Sequence, residues 1–108
     1  MNPVRYGIYV ASLDPTVGGE IAKTRPVVVV SLDAMNRYLD TIVVCPLTTR
    51  LHPSWRSRLQ VPCAGRPAEI AVDQIRTITK LRLRQKLDAL STGDAEKLRQ
   101  IIVEMYGV

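Results

Sequence analysis

At 108 residues the chain has room for one domain, residues 1–108, with one hydrophobic core. Its apolar content of 46% is that of an ordinary globular protein, but it has no Phe, one Trp and four Tyr, so the core must be built from Val, Ile and Leu, which favours strands. The net charge of +5 is concentrated: residues 50–86 hold nine basic residues against two acids, an excess that attracts a polyanion, nucleic acid first and an acidic protein second.

Residues 6–13 alternate and are rich in β-formers, which predicts a first strand. Asp14-Pro15-Thr16-Val17-Gly18-Gly19 is turn chemistry, and the loop it opens runs on to Thr24. Arg25-Pro26 then leads Val27-Val28-Val29-Val30, a run that predicts a strand buried on both faces. Ser31 is placed to cap a short helix over residues 32–36. Residues 41–47 read as the next strand, and residues 48–57, polar and interrupted by Pro53, as an exposed loop.

Residues 58–63 alternate charged and apolar side chains, which predicts a half-buried strand. Gly65-Arg66-Pro67 reads as a turn, residues 68–72 and 75–78 as strand pieces, residues 80–84 as a helical turn and residues 85–90 as a last strand. Ser91, three residues before Asp94, predicts a helix N-cap. Ala95, Leu98, Ile101, Ile102 and Met105 follow at helical spacing, and Gly107 ends the stripe. The expectation is α+β, mainly β: five to seven mostly antiparallel strands, a short helix and a C-terminal helix.

No P-loop, GxSxG or HExxH is present, and there is no cluster of acidic metal ligands, which excludes the chemistries those motifs carry and leaves no cofactor to expect. Cys45 and Cys63 lie in apolar segments without CxxC or metal-ligand spacing. They read as buried thiols of a cytoplasmic protein, a disulfide between neighbouring strands staying open. No signal-type apolar run opens the chain and no run reaches membrane-span length. The polar residues that remain sit at strand ends: Glu20, Lys23, Thr24 and Arg25; Thr48, Thr49 and Arg50; Asp73, Gln74 and Arg76. If their strands are neighbours, these ends converge on one rim.

Asp14-Pro15-Thr16-Val17-Gly18-Gly19-Glu20 followed by Thr24-Arg25-Pro26 and the valine run resembles the first motif of the MazF/PemK toxins. Cys45-Pro46-Leu47-Thr48-Thr49 resembles that family's apolar strand ending in Thr, and Asp73-Gln74-Ile75-Arg76-Thr77-Ile78 its third motif. The three occur in order and span most of the chain. The resemblance implies an SH3-like barrel, a homodimer, and metal-independent cleavage of single-stranded mRNA at a short sequence to 2′,3′-cyclic phosphate and 5′-hydroxyl ends. It places the catalytic Arg on Arg25, the catalytic Thr on Thr48 and a substrate-contacting acid on Asp73. It also implies a cognate antitoxin with an acidic, partly disordered segment, with operator DNA engaged only through that partner, and no membrane.

Cleavage by the 2′-hydroxyl needs alignment, charge stabilisation on the phosphorane and proton transfer. Arg25 can give two N–H donors and Thr48 and Thr49 their hydroxyls. Arginine stays protonated, so the general base is left between Glu20 and Asp73. Asp73 alternatively pairs with Arg76 on the surface. His52 reads as an exposed loop residue or a general acid; Trp55 stacks on a base, or covers a dimer interface or the core. The chain departs from the family at Gly7, where an acid often stands, at Gly19, where some members carry His, and at Ala71, where some carry Arg. The ending Met105-Tyr106-Gly107-Val108 resembles that of CcdB toxins, which leaves a gyrase poison on the same fold as the alternative.

Overall fold

Four consecutive valines can be buried together only if both faces of their strand are covered, and the computed structural model, which describes residues 2–107, achieves this by curling the sheet. Seven strands are found: β1 (Gly7–Ser12), β2 (Thr24–Val29), β3 (Thr41–Thr48), β4 (Arg58–Cys63), β5 (Arg66–Ala71), β6 (Arg76–Thr79) and β7 (Leu83–Ala89). A six-residue helix α1 (Asp33–Tyr38) links β2 to β3, and α2 (Thr92–Tyr106) follows β7. The strands run β4-β5-β3-β2-β1-β7, every pairing antiparallel, with β6 also on β3. The result is an antiparallel half-barrel with a C-terminal helix, as the sequence predicts.

Val28 and Val30 enter one apolar cluster with Ile8, Cys45, Leu47, Ile70 and Leu98. Val27 and Val29 enter a second, with Tyr9, Leu13, Ile42, Val44 and Ile78. Successive strand side chains point to opposite faces, so a two-sided core selects an unbroken apolar run. Helix α2 covers the first cluster with Leu98, Ile101, Ile102 and Met105. Its start is fixed by the Ser91 hydroxyl accepting the Asp94 N–H at 3.1 Å. At its end a Cβ on Gly107 would lie 2.6 Å from the Val103 carbonyl oxygen, so the close backbone approach there requires glycine.

Three local expectations change, and the reading of the cysteines as buried thiols holds. Ser31 is not a helix cap: Leu32 holds that position, and the buried Ser31 hydroxyl donates to Asn36 Oδ1 and accepts the Val43 N–H, tying α1 to β3. The turn between β4 and β5 is Ala64-Gly65, both at positive φ, while Arg66 and Pro67 already belong to β5. Two left-handed residues make the tight hairpin whose twist matches the strands. The turn after β6 is a 3-10 turn over Lys80–Arg82, and β7 begins at Leu83. Cys45 and Cys63 share the first cluster as free thiols. Burial, aided by Asp73, pushes the Cys45 thiol up to about 12, and burial, aided by Asp88, raises Cys63, so both are inert packing groups.

Candidate active site

The ladder of β2 and β3 pairs Val27 with Pro46. Two residues further along each strand lie Arg25 and Thr48, brought side by side by this register. With Thr49 and Arg66 they line a cavity of about 170 Å³ whose apolar wall includes Leu47 and Pro67. Arg25 is half-buried, and its Nε donates to the Ala22 carbonyl at 3.3 Å, which leaves the Nη atoms to serve a ligand. The Thr48 Oγ1 accepts the Arg50 N–H at 3.1 Å. A hydroxyl held as an acceptor in this way has its own proton to donate. The cavity itself is mainly apolar, and the two arginines and two threonines among its lining residues are a set of side chains suited to a phosphate.

The other predicted residues do not join this cavity. Glu20, Asp73, Gln74 and Arg76 line a second, larger cleft of about 520 Å³, together with Gly19 and Pro46. The expected single rim is thus two, because β3 divides it: Pro46 points to one side and Leu47 to the other. In the larger cleft Gln74 is occupied structurally. Its Oε1 accepts the Ile21 N–H at 2.6 Å and its Nε2 donates to the Gly19 carbonyl at 3.3 Å, stapling the loop between β1 and β2. Lys23 sits at φ 68 with its N–H on Asp14 Oδ1, and Thr24 pairs with Ser12. Arg76 donates to the Leu13 carbonyl at 3.4 Å. Arg50 is exposed beyond Thr49.

Asp73 pairs with Arg58, not Arg76: Arg58 Nε donates to Asp73 Oδ1 at 2.8 Å. The same guanidinium donates through Nη1 to Glu69 at 2.7 Å. Glu69 is wholly buried on β5, directly across the sheet from Thr48. It also accepts from the His52 backbone N–H, from Gln60 Nε2 at 2.5 Å, and lies 3.3 Å from His52 Nδ1. His52 is therefore not a plain exposed loop residue; its ring is half-buried against a carboxylate and stacked on Trp55. Burial by itself would raise the Glu69 carboxyl, but the bonds from His52 and Arg58 outweigh it and hold the group below its ordinary value. Asp73 follows the same pattern: burial raises it, and the bonds from Arg58 and Ser57 bring the net shift downward.

Both carboxylates are lower in the folded chain than in the unfolded one. Their contribution to stability is present above the unfolded carboxylate value near about pH 4 and is lost as pH falls through the folded value. The melting temperature is expected to fall steeply below about pH 4, and Glu69→Gln to flatten that acid limb. Parallel acid limbs in the two proteins would remove Glu69 from the account.

Sequence reasoning missed Glu69, Arg58 and Arg66. A signal existed for Glu69, a lone acid inside the apolar segment 68–72, which a buried ion pair explains. Arg66 was masked by its assignment to the turn. The departure at Ala71 has a physical basis, because this residue is fully buried opposite Arg58 and has no room for a large cation. At Gly19, by contrast, an added Cβ meets nothing within 4 Å. The C-terminal Tyr106 hydroxyl donates to the Val72 carbonyl at 2.8 Å, and Glu104 pairs with Arg56, so this ending is engaged by the chain's own fold. Val108 lies outside the described residues. Among the described residues no helix is long and apolar enough to cross a membrane.

Residues 4–106 match the family described as PemK-like, MazF-like toxin of type II toxin-antitoxin system. The Endoribonuclease MazF of Staphylococcus saprophyticus is 30% identical over 106 residues, covering 91% of this chain and 86% of that protein. MazF from Deinococcus radiodurans superposes with a TM-score of 0.88 at 20% identity, over 100% of this chain and 99% of that one. An endoribonuclease in complex with its cognate antitoxin, from a mycobacterial species, gives 0.82 at 21% identity, over 98% and 96%.

Proposed function

This chain belongs to the PemK-like, MazF-like toxin family of type II toxin–antitoxin systems and is an endoribonuclease of the MazF kind, and on that premise we propose that it cuts single-stranded mRNA at a short sequence without a metal, leaving 2′,3′-cyclic phosphate and 5′-hydroxyl ends. The observation that carries this reading is the meeting of Arg25, Thr48 and Thr49 around one small cavity. The nucleophile is the substrate's own 2′-hydroxyl. It attacks the adjacent phosphorus, the bond to the 5′-oxygen breaks, and that oxygen takes up a proton. Arg25 stabilises the charge that grows on the phosphorane, and the Thr48 and Thr49 hydroxyls donate to the same oxygens.

As proton acceptor, Asp73 is the weaker candidate of the two carboxylates. Its clamp by Arg58 favours the carboxylate and lowers its basicity. Glu20, exposed with Oε1 on the Val17 N–H, is the better choice for the base, on condition that the bound strand crosses β3 from the Arg25–Thr48 cavity to the cleft that Glu20 lines. Glu20, Lys23, Thr24, Arg50, Asp73, Gln74 and Arg76 then serve the strand on either side of the cut, with Gln74 acting through the loop it staples.

The exposed apolar set Leu32, Met35, Tyr38 and Leu39 around α1 supports a homodimer. The basic excess of residues 50–86 supports an antitoxin whose acidic, partly disordered segment folds over the site. Operator DNA is left to that partner, since α2 packs its apolar face on the sheet and α1 has only six residues. The two free, buried thiols are compatible with a reducing cytoplasm. Incubation with a long single-stranded RNA in EDTA is expected to give discrete cuts. Intact RNA together with trapped gyrase–DNA complexes would overturn the reading in favour of a gyrase poison.

A further inference from the structure

We propose that residues 52–58 form a ready-made shelf for one unpaired base of single-stranded RNA, with Trp55 as its stacking surface. The inference takes its ligand from the ribonuclease reading. Trp55 is the chain's only tryptophan and is 47% exposed. Its ring stacks on that of His52, with centroids 3.9 Å apart and planes 22° from parallel. The Arg58 guanidinium carbon lies 4.7 Å from the same ring's centroid.

The shelf is fixed from below. Glu69 holds the His52 backbone and ring, and holds Arg58, which Asp73 grips as well. Within the loop the Trp55 N–H donates to the His52 carbonyl at 3.0 Å and the Arg58 N–H to the Trp55 carbonyl at 3.2 Å. An aromatic surface ordered before the ligand arrives loses little freedom on binding. Its chemistry suits a nucleotide: a π-face for the base, with Arg50 and Arg56 in the same stretch for the phosphates and no acidic residue between Thr41 and Ala68.

Room is available. Trp55 lines an open cleft of about 560 Å³ with Arg56, Ser57, Glu104 and Met105, where Arg56 pairs with Glu104 and the Met105 side chain offers a second soft contact. The shelf is also tied to the catalytic strand end. It begins four residues after Thr48, and Glu69, its anchor, pairs with Thr48 across the sheet. A base stacked on Trp55 therefore sets the register of the strand relative to Arg25 and Thr48.

The sole tryptophan makes the test direct. Short single-stranded deoxyoligonucleotides of mixed sequence lack the 2′-hydroxyl and bind without being cut. Their titration is expected to quench the intrinsic fluorescence saturably. Trp55→Ala is expected to weaken binding of a labelled oligonucleotide about five- to hundredfold, and Trp55→Tyr to keep most of the affinity. Binding without quenching, or an unchanged affinity in Trp55→Ala, overturns the shelf. So does an emission that shifts with protein concentration alone, which would mean that a second copy covers Trp55. RNA cleavage measured alongside separates the two readings. Cutting without quenching removes the shelf and leaves the nuclease, whereas quenching without cutting supports the shelf and removes the nuclease.

Discussion

Replacing Arg25 by Ala is expected to lower RNA cleavage by at least two to three orders of magnitude, the usual cost of deleting one donor aimed at developing oxyanion charge. Stability should hardly move, because Arg25 is half-buried and makes one backbone contact, to the Ala22 carbonyl at 3.3 Å. A melting temperature within about 3 °C of wild type is expected. Arg25→Lys keeps the charge but loses the two-pronged fork, so its rate should fall between the two. Single-turnover cleavage and thermal melting on the same three proteins check this. A folded Arg25→Ala protein that cuts at the wild-type rate contradicts the assignment.

Glu69→Ala has the largest expected effect on stability. It leaves the Arg58 guanidinium, whose side chain is 6% exposed, with only Asp73 as a charged partner, and it orphans the His52 N–H. Breaking a buried pair from one side typically costs 3–5 kcal/mol, and the surviving Asp73 contact sets the expectation near the low end, about 3 kcal/mol. For a domain of this size that is a fall of roughly 12–20 °C in melting temperature. Glu69→Gln keeps an acceptor for His52 and should lose distinctly less. Equal losses in the two variants would mean that the acceptor kept by Gln contributes nothing and that the whole effect comes from the buried charge.

Much of the fold was legible because its signals are local. The valine run announced a strand covered on both sides, and the two clusters built on alternate valines are the reason. Ser91 and the stripe from Ala95 to Met105 announced α2. The neighbourhood of Arg25 and Thr48 was legible too, since motif order along β2 and β3 translates directly into register. What stayed hidden depends on partners distant in the chain. Arg58 and Asp73 are fifteen residues apart and Glu69 and His52 seventeen, and no local pattern says which acid meets which base. Ser31 has the chemistry of a cap but is drawn inward by Asn36 and Val43. The division of the site into two clefts follows from the pleat of β3 at Pro46 and Leu47, which the spacing of motifs cannot reveal.

The most direct measurement uses one RNA bearing a mapped cut site, incubated in EDTA with the wild-type protein, beside the same RNA carrying a single 2′-deoxy nucleotide 5′ of the scissile phosphate. A 2′,3′-cyclic phosphate on the cut RNA and no cut at the deoxy position are expected, because the deoxy nucleotide lacks the attacking oxygen. Cleavage of the deoxy-substituted strand at that position, or a 3′-hydroxyl product dependent on added metal, would contradict this mechanism.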